Sequence, residues 1–169
     1  MTNSLDRKKQ QAYLEKLSYR DMLTGLYNRN RYIERLEAYK QVQDQQIGAI
    51  YIDLNGLKKV NDEQGHRAGD ELIVRAAGTI AGIFAEDAYR VGGDEFVVIL
   101  LDVSREEFAR KTEQLRRQMQ ENSVDASIGG VWQASTENLE DLLRRADENM
   151  YREKKRYYSQ ADAARKPES

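Results

Sequence analysis

Apolar positions along this chain follow two rhythms, one of strands and one of helices. Residues 47–54 form a nearly unbroken apolar run that closes on an acid, Asp53, as expected of a buried central strand. Residues 88–91 and 96–100 are two shorter apolar runs separated by Gly92-Gly93-Asp94-Glu95, which predicts a β-hairpin whose turn presents acids. A further strand is expected over 124–132, interrupted by Gly129 and Gly130. Elsewhere apolar residues recur three and four apart, the spacing of one helix face. That spacing predicts helices over 6–18 (Tyr13, Leu14, Leu17), 31–41 (Tyr32, Ile33, Leu36, Tyr39) and 70–84 (Leu72, Ile73, Ala76, Ile80). It also predicts one over 137–157, with Leu139, Leu142, Leu143, Ala146, Met150 and Tyr151 inward. Ser104-Arg105-Glu106-Glu107 is a capping box that opens a helix running to about Glu121. Residues 20–29 read as a turn, and 55–69, with three glycines, as a loop holding one helical turn. After Tyr158 the chain is polar and carries its only proline, so residues 159–169 are expected to be a disordered tail. Strands and helices mix, which predicts an α+β or mixed α/β fold: a mixed sheet of four or five strands with helices packed over it.

Composition narrows the function classes. The 169 residues suit one domain with a short extension. With 27 basic and 29 acidic residues the net charge is -2, without the basic excess of a nucleic-acid binder. The hydrophobic fraction, 40%, is low, but the deficit lies at the two ends and leaves the middle able to build a core. No apolar run approaches the roughly 20 residues that span a bilayer, and the first ten residues lack the apolar stretch of a signal peptide. There are no cysteines, which excludes disulfides and thiolate chemistry. The expectation is a cytoplasmic protein with no nucleic-acid partner and no direct membrane contact.

The candidate chemistry is acidic. Two adjacent carboxylates, Asp94 and Glu95, repel each other unless a cation or a proton lies between them. If the strand ending at Asp53 neighbours the hairpin, three carboxylates converge into an oxygen-rich site of the kind magnesium favours. An acid at the end of such a strand is expected to be exposed. Gly56 follows that strand, and backbone N–H groups there could cradle phosphates, with Lys58 adding positive charge. No P-loop is present. Asn61 and Asp70 together offer the donors and acceptors that match a guanine edge, although Asp70 could equally cap a helix. His66 stands alone, without the partners of a zinc site, and reads as a structural loop residue.

Taken in order, these segments resemble the GGDEF family of diguanylate cyclases. Arg90-Val91-Gly92-Gly93-Asp94-Glu95-Phe96 matches its signature. Asn61-Asp62-Glu63-Gln64-Gly65-His66-Arg67-Ala68-Gly69-Asp70 matches its N-D-x-x-G-H-x-x-G-D segment, and Asp21-Met22-Leu23-Thr24-Gly25-Leu26-Tyr27-Asn28-Arg29 matches its opening D-x-L-T-G-L-x-N-R motif. Ser127-Ile128-Gly129, Ala146-Asp147, Met150-Tyr151 and Lys154 match later landmarks. The resemblance implies a mainly antiparallel sheet of about five strands, like the palm of polymerases and class III nucleotidyl cyclases. It places the cyclase domain at 19–158, with residues 1–18 as the end of a signalling stalk below an upstream sensory domain.

The implied reaction condenses two GTP molecules into cyclic di-GMP and two pyrophosphates, with Mg2+ (or Mn2+ in its place), across a homodimer. By resemblance Asp53, Asp94 and the Leu54 carbonyl are metal ligands, and Glu95 is the essential acid that binds metal or helps deprotonate the 3′-hydroxyl. Asn61 and Asp70 read guanine. Lys58 and Lys154 lie near the triphosphate, and Asn55, Gly56, Leu57, Gly92 and Gly93 line the substrate site. The rival expectation is a non-catalytic module binding GTP or a cyclic dinucleotide. Two departures stand out. Relatives subject to product inhibition carry Arg-x-x-Asp upstream of the signature, where this chain has Ile83-Phe84-Ala85-Glu86. An arginine often follows the lysine at position 154 by four residues; here Tyr158 stands there, with Arg156 a nearby candidate substitute.

Overall fold

The computed structural model describes residues 3–165. Helices α1 (Ser4–Tyr19) and α2 (Arg29–Tyr39) precede strand β1 (Ile47–Leu54). Then come α3 (Leu57–Gln64), α4 (His66–Phe84), a 3-10 turn at Ala85–Asp87, β2 (Ala88–Arg90) and β3 (Glu95–Leu101). The chain ends with α5 (Arg105–Glu121), β4 (Ala126–Gln133) and α6 (Leu139–Arg165). The fold is α+β. The sheet has order β2-β3-β1-β4, and every neighbouring pair is antiparallel. Against an expectation of about five, four strands are found among the described residues. The nearest thing to a fifth is a one-residue parallel bridge from Tyr27 to Tyr89 at the β2 edge, closed by Arg90 N donating to Tyr27 O at 2.8 Å. No helix among the described residues is long and apolar enough to cross a membrane.

The apolar run of β1 is explained by its central place. Its even positions, Ile50, Ile52 and Leu54, join the core under α4 and α5. Its odd positions, Ile47 and Ala49, join the core under α2 and α6. Because side chains alternate along a strand, Asp53 falls on the α6 face. Ser104 caps α5 as expected, its Oγ accepting from Glu107 N at 3.1 Å. Asn28 caps α2 in the same way, accepting from Arg31 N at 3.0 Å.

Several expected details change. Residues 57–64 form a full helix rather than a loop with one turn, and α4 starts at His66 rather than Asp70. Gly65, at φ 92°, ends one helix and begins the next. The apolar stripe of α4 begins only at Leu72, so its polar first turn carries no periodic signal. In consequence His66 opens a helix, and Asp70 lies beyond the first turn and caps nothing. On α2, Ile33 is exposed while Tyr32, Leu36 and Tyr39 pack on the core; on α6, Tyr151 is exposed, with Lys155 over its ring at 4.9 Å. Tyr13 and Leu14 of α1 are exposed, and the side chain of Leu17 lies outside the described set. Helix α6 runs through the polar stretch after Tyr158 as far as Arg165; residues 166–169 of the expected disordered tail lie outside the described residues.

Nor do Gly129 and Gly130 interrupt β4. They pair with Tyr51 and Ile50 in an unbroken ladder. Their role is contact: a Cβ on Gly129 would overlap the backbone of α6 at Ala146 O and Met150 N. Gly129 is buried, and rigid helix backbone cannot rotate away as a side chain could. Gly129→Ala is therefore expected to destabilise the fold by about 3 kcal/mol, read as a lowered urea midpoint with unchanged slope.

Candidate active site

Antiparallel pairing of β1 with β3 places Asp53 directly opposite Glu95. Leu54 N donates to Asp94 O at 3.0 Å, which ties the end of β1 to the β2–β3 turn. The turn is held from behind by Arg90, which donates to Gly93 O at 2.8 Å and pairs with Asp21 at 3.1 Å. Asp21 is itself set by Thr24, whose backbone N–H and hydroxyl both donate to its carboxylate. A side chain on Gly92 would crowd the Glu95 carboxylate, 3.1 Å from Oε2, whereas Gly93 is open. One oxygen from each of Asp53, Asp94 and Glu95 therefore falls within 4.8 Å of the others.

Asp53 is the buried member, 7% exposed rather than open to solvent as expected. Burial first, and then the charge of Asp94, push its carboxyl up from 3.8 to about 6, against the pull of Lys154. Lys154 Nζ lies 3.1 Å from Asp53 Oδ1 and donates to the Leu54 carbonyl at 3.2 Å. Its angle to Oδ1 is outside hydrogen-bond geometry, so this buried oxygen has an ion-pair partner and no hydrogen bond among the described residues. Carboxylates, a backbone carbonyl and an under-bonded buried oxygen together form an all-oxygen donor set that suits a hard divalent cation. The lysine supplies part of that positive charge here.

Asn55, expected to touch substrate, is turned inward. It is 6% exposed, donates to Asp125 Oδ1 at 2.9 Å and accepts from Ser127 Oγ at 2.9 Å. Its backbone N–H donates to Asp125 O at 2.9 Å. The residue braces the loop after β1 against the start of β4 and also offers Oδ1 to Lys154 at 3.5 Å. Asp125 was missed by sequence reasoning. An acid just before a strand has no periodic signature, and only the β1–β4 pairing reveals its partner.

Beyond the carboxylates lies a cavity of about 390 Å³, lined by Gly56, Leu57, Lys58, Asp94, Tyr157 and Tyr158 among others. Gly56, at φ 75°, turns the chain from β1 into α3. Asn61 lies on α3, and its amide oxygen occupies the space where Gly69 of α4 lacks a Cβ. Asp70 follows Gly69 and is exposed. Tyr158 is half-exposed, its ring 5.7 Å from Lys154 Nζ. Arg156 lines a different hollow, with Arg116 and Gly130. A larger cavity, about 510 Å³, lies between residues 40–44 and 136–140, at the end of β1 opposite Asp53 and without one of the carboxylates. Chemistry rather than size selects the site.

The model of the family described as "Diguanylate cyclase, GGDEF domain" matches residues 18–160. The chain belongs to the GGDEF family. Among GGDEF relatives, the probable diguanylate cyclase DgcJ of Escherichia coli (strain K12) is 36% identical over 141 residues, covering 78% of this chain and 28% of the relative. Diguanylate cyclase DgcS of Shewanella oneidensis is 33% identical over 147 residues, covering 79% of this chain and 49% of the relative. The chain thus spans less than half the length of these curated relatives. A solved structure of the coiled coil and GGDEF domain of DgcB from Caulobacter crescentus, in complex with c-di-GMP, matches in fold with a TM-score of 0.80. That match is 23% identical and covers 89% of this chain and 88% of the other.

The geometry makes Asn55 the brace of this GGDEF site. Asn55→Ala removes its bonds to Asp125 and Ser127 and takes a partner from the buried Ser127 hydroxyl, which should cost about 1–3 kcal/mol. Thermal denaturation of the variant reads this directly. Ser127→Ala, which removes only one of the bonds, should cost less.

Proposed function

We propose that this domain condenses two GTP molecules into cyclic di-GMP, with release of two pyrophosphates. The observation that carries the reading is the convergence of Asp53, Asp94 and Glu95 beside the Leu54 carbonyl, at the mouth of a cavity whose far side is α3. Asp53, Asp94, Glu95 and the Leu54 carbonyl would hold Mg2+, with Mn2+ able to substitute. When bound, the ion neutralises the crowded acids and stabilises negative charge on the phosphates. Lys154 gains from this exchange, because an ammonium displaced from Asp53 and Leu54 becomes free to meet the triphosphate.

The remaining roles belong to the chain's own groups. Backbone N–H groups after Gly56 and the Lys58 ammonium hold phosphate oxygens. Asn61 and Asp70 accept and donate along the guanine edge, Asp70 taking the N1–H and N2–H donors. The 3′-oxygen of one GTP attacks the α-phosphorus of another, and pyrophosphate leaves. Glu95, the most solvent-open of the three acids, is placed to accept the 3′-hydroxyl proton. Among the described residues one acid trio stands beside one nucleotide-sized cavity, so the second GTP comes on a second copy and the active form is a homodimer. Positioning and electrostatics supply most of the rate. Helix α1 serves as the end of a stalk below a sensory domain in a cytoplasmic setting. Glu86 is held by Arg20 at 2.8 Å and the position three before it is Ile83, so inhibition by product through an Arg-x-x-Asp motif is not expected.

Incubation of the protein with GTP and Mg2+, followed by mass spectrometry, should show cyclic di-GMP forming at a rate per protein that rises with protein concentration. Glu95→Gln should lower turnover by about 100-fold or more while GTP still binds. GTP binding without product in the unaltered protein would favour the non-catalytic module.

The raised carboxyl of Asp53 sets a pH dependence. Its folded value of about 6 exceeds the ordinary 3.8, so its charge costs stability above pH 6, and that cost disappears as pH falls toward 3.8. A cation relieves the same charge. Mg2+ should therefore raise the melting temperature clearly at pH 8 and little at pH 5, where Asp53 is protonated. Asp53→Asn should lose the Mg2+ response at both.

A further inference from the structure

The stripe of α6 that seals the sheet continues beyond the end of the sheet. Leu139, Leu142, Ala146 and Met150 are buried under the helix. Helical spacing then brings Lys154, Tyr157, Tyr158 and Ala161 onto the same side. The β1–β4 ladder stops where Leu54 meets Ala126, and Lys154 already reaches the Leu54 carbonyl. At about 1.5 Å per residue, the next two turns of α6 overhang the sheet. No core lies under that overhang; it covers the cavity shared with Gly56, Lys58 and Asp94.

Tyr157 is the residue this overhang aims inward. It is half-buried, and its hydroxyl lies 3.1 Å from where a Cβ on Gly56 would sit. That hydroxyl makes no hydrogen bond among the described residues. The ring is fixed edge-on against Tyr158, with centroids 5.3 Å apart at 72°. Across from it α3 begins, where the N–H groups of the first turn have no intrahelical partner. The side chains around the cavity are acidic in excess: Lys58 and Lys59 stand among Asp62, Glu63, Asp94 and Asp162. In such a field a neutral O–H strengthens the hold on an anion by adding a directed donor rather than more charge.

We infer that the last turns of α6 form the outer wall of the nucleotide cavity, and that Tyr157 donates its phenolic hydrogen to a phosphate oxygen of the bound nucleoside triphosphate. The inference rests on the reading of this cavity as a GTP site. Tyr158 is a positioning residue for the Tyr157 ring.

The test is calorimetric titration of GTP into the full chain with Mg2+, with pyrophosphate as a competitor, for the unaltered protein, Tyr157→Phe and Tyr151→Phe. Tyr157→Phe removes one oxygen and leaves the ring packing, so its melting temperature should match the parent's. GTP and pyrophosphate should both bind about tenfold more weakly to Tyr157→Phe, the worth of a hydrogen bond to a charged acceptor. Tyr151→Phe, on the outer face of α6, should leave both affinities unchanged. Unaltered GTP affinity in Tyr157→Phe overturns the inference and leaves the GTP reading standing. Loss for GTP without loss for pyrophosphate places the hydroxyl on the nucleoside and overturns the phosphate assignment. An unaltered protein that binds no GTP overturns the reading and the inference together.

Discussion

Asp53 is a carboxylate buried at the end of the central strand, and its neighbours are arranged around that fact. It faces Glu95 across β1–β3, with Asp94 close by, and receives Lys154 from α6, the helix packed on its own face of the sheet. A buried charge among like charges is expensive unless something positive reaches it. The lysine reaches it from α6, and α6 can come that close because Gly129 has no side chain to hold the helix off β4. The hairpin turn that carries Asp94 is pinned from behind by Arg90 and Asp21. Sheet register, helix approach and turn geometry therefore all converge on one negative centre.

That arrangement gives the site a division of labour. The strand ends and the turn supply oxygen donors on rigid backbone. Helix α3 supplies one wall of the cavity and is seated against α4, where Gly69 leaves room for Asn61. Asn55 links the loop after β1 to Asp125 and Ser127 at the start of β4. Polar side chains near a site thus fall into two groups, those aimed outward and those spent holding the others. Burial and hydrogen-bond saturation distinguish them, and residue type does not.

Legibility followed the strength of the local signal. β1 was readable to the residue because burial on both faces leaves an apolar run with sharp ends. The cap of α5 was readable because Ser104 and Glu107 carry their own geometry. Helix α3 and the first turn of α4 were not, because they are polar, glycine-bounded and carry no apolar stripe. Gly129 and Gly130 looked like interruptions because a strand rich in glycine has weak local preference; the reason for them is the helix packed on top. Ile33 and Tyr151 looked inward because spacing alone cannot choose between the two borders of a stripe.

By itself the sequence determined the α+β class, the acid-bearing hairpin and the identity of the carboxylates, because these depend on residue type and on neighbours close in the chain. It also carried the ordered motifs that mark the family. Tertiary structure alone decided that Asp53 is buried rather than exposed, that Asn55 turns inward onto Asp125 and Ser127, and that Lys154 lies on the Leu54 carbonyl. It also brought Tyr157 over Gly56, about a hundred residues away along the chain. The physical reason is the same in each case. Burial, pairing and charge are properties of a place, and the place is made only when strands distant in sequence take their register and a helix settles across them.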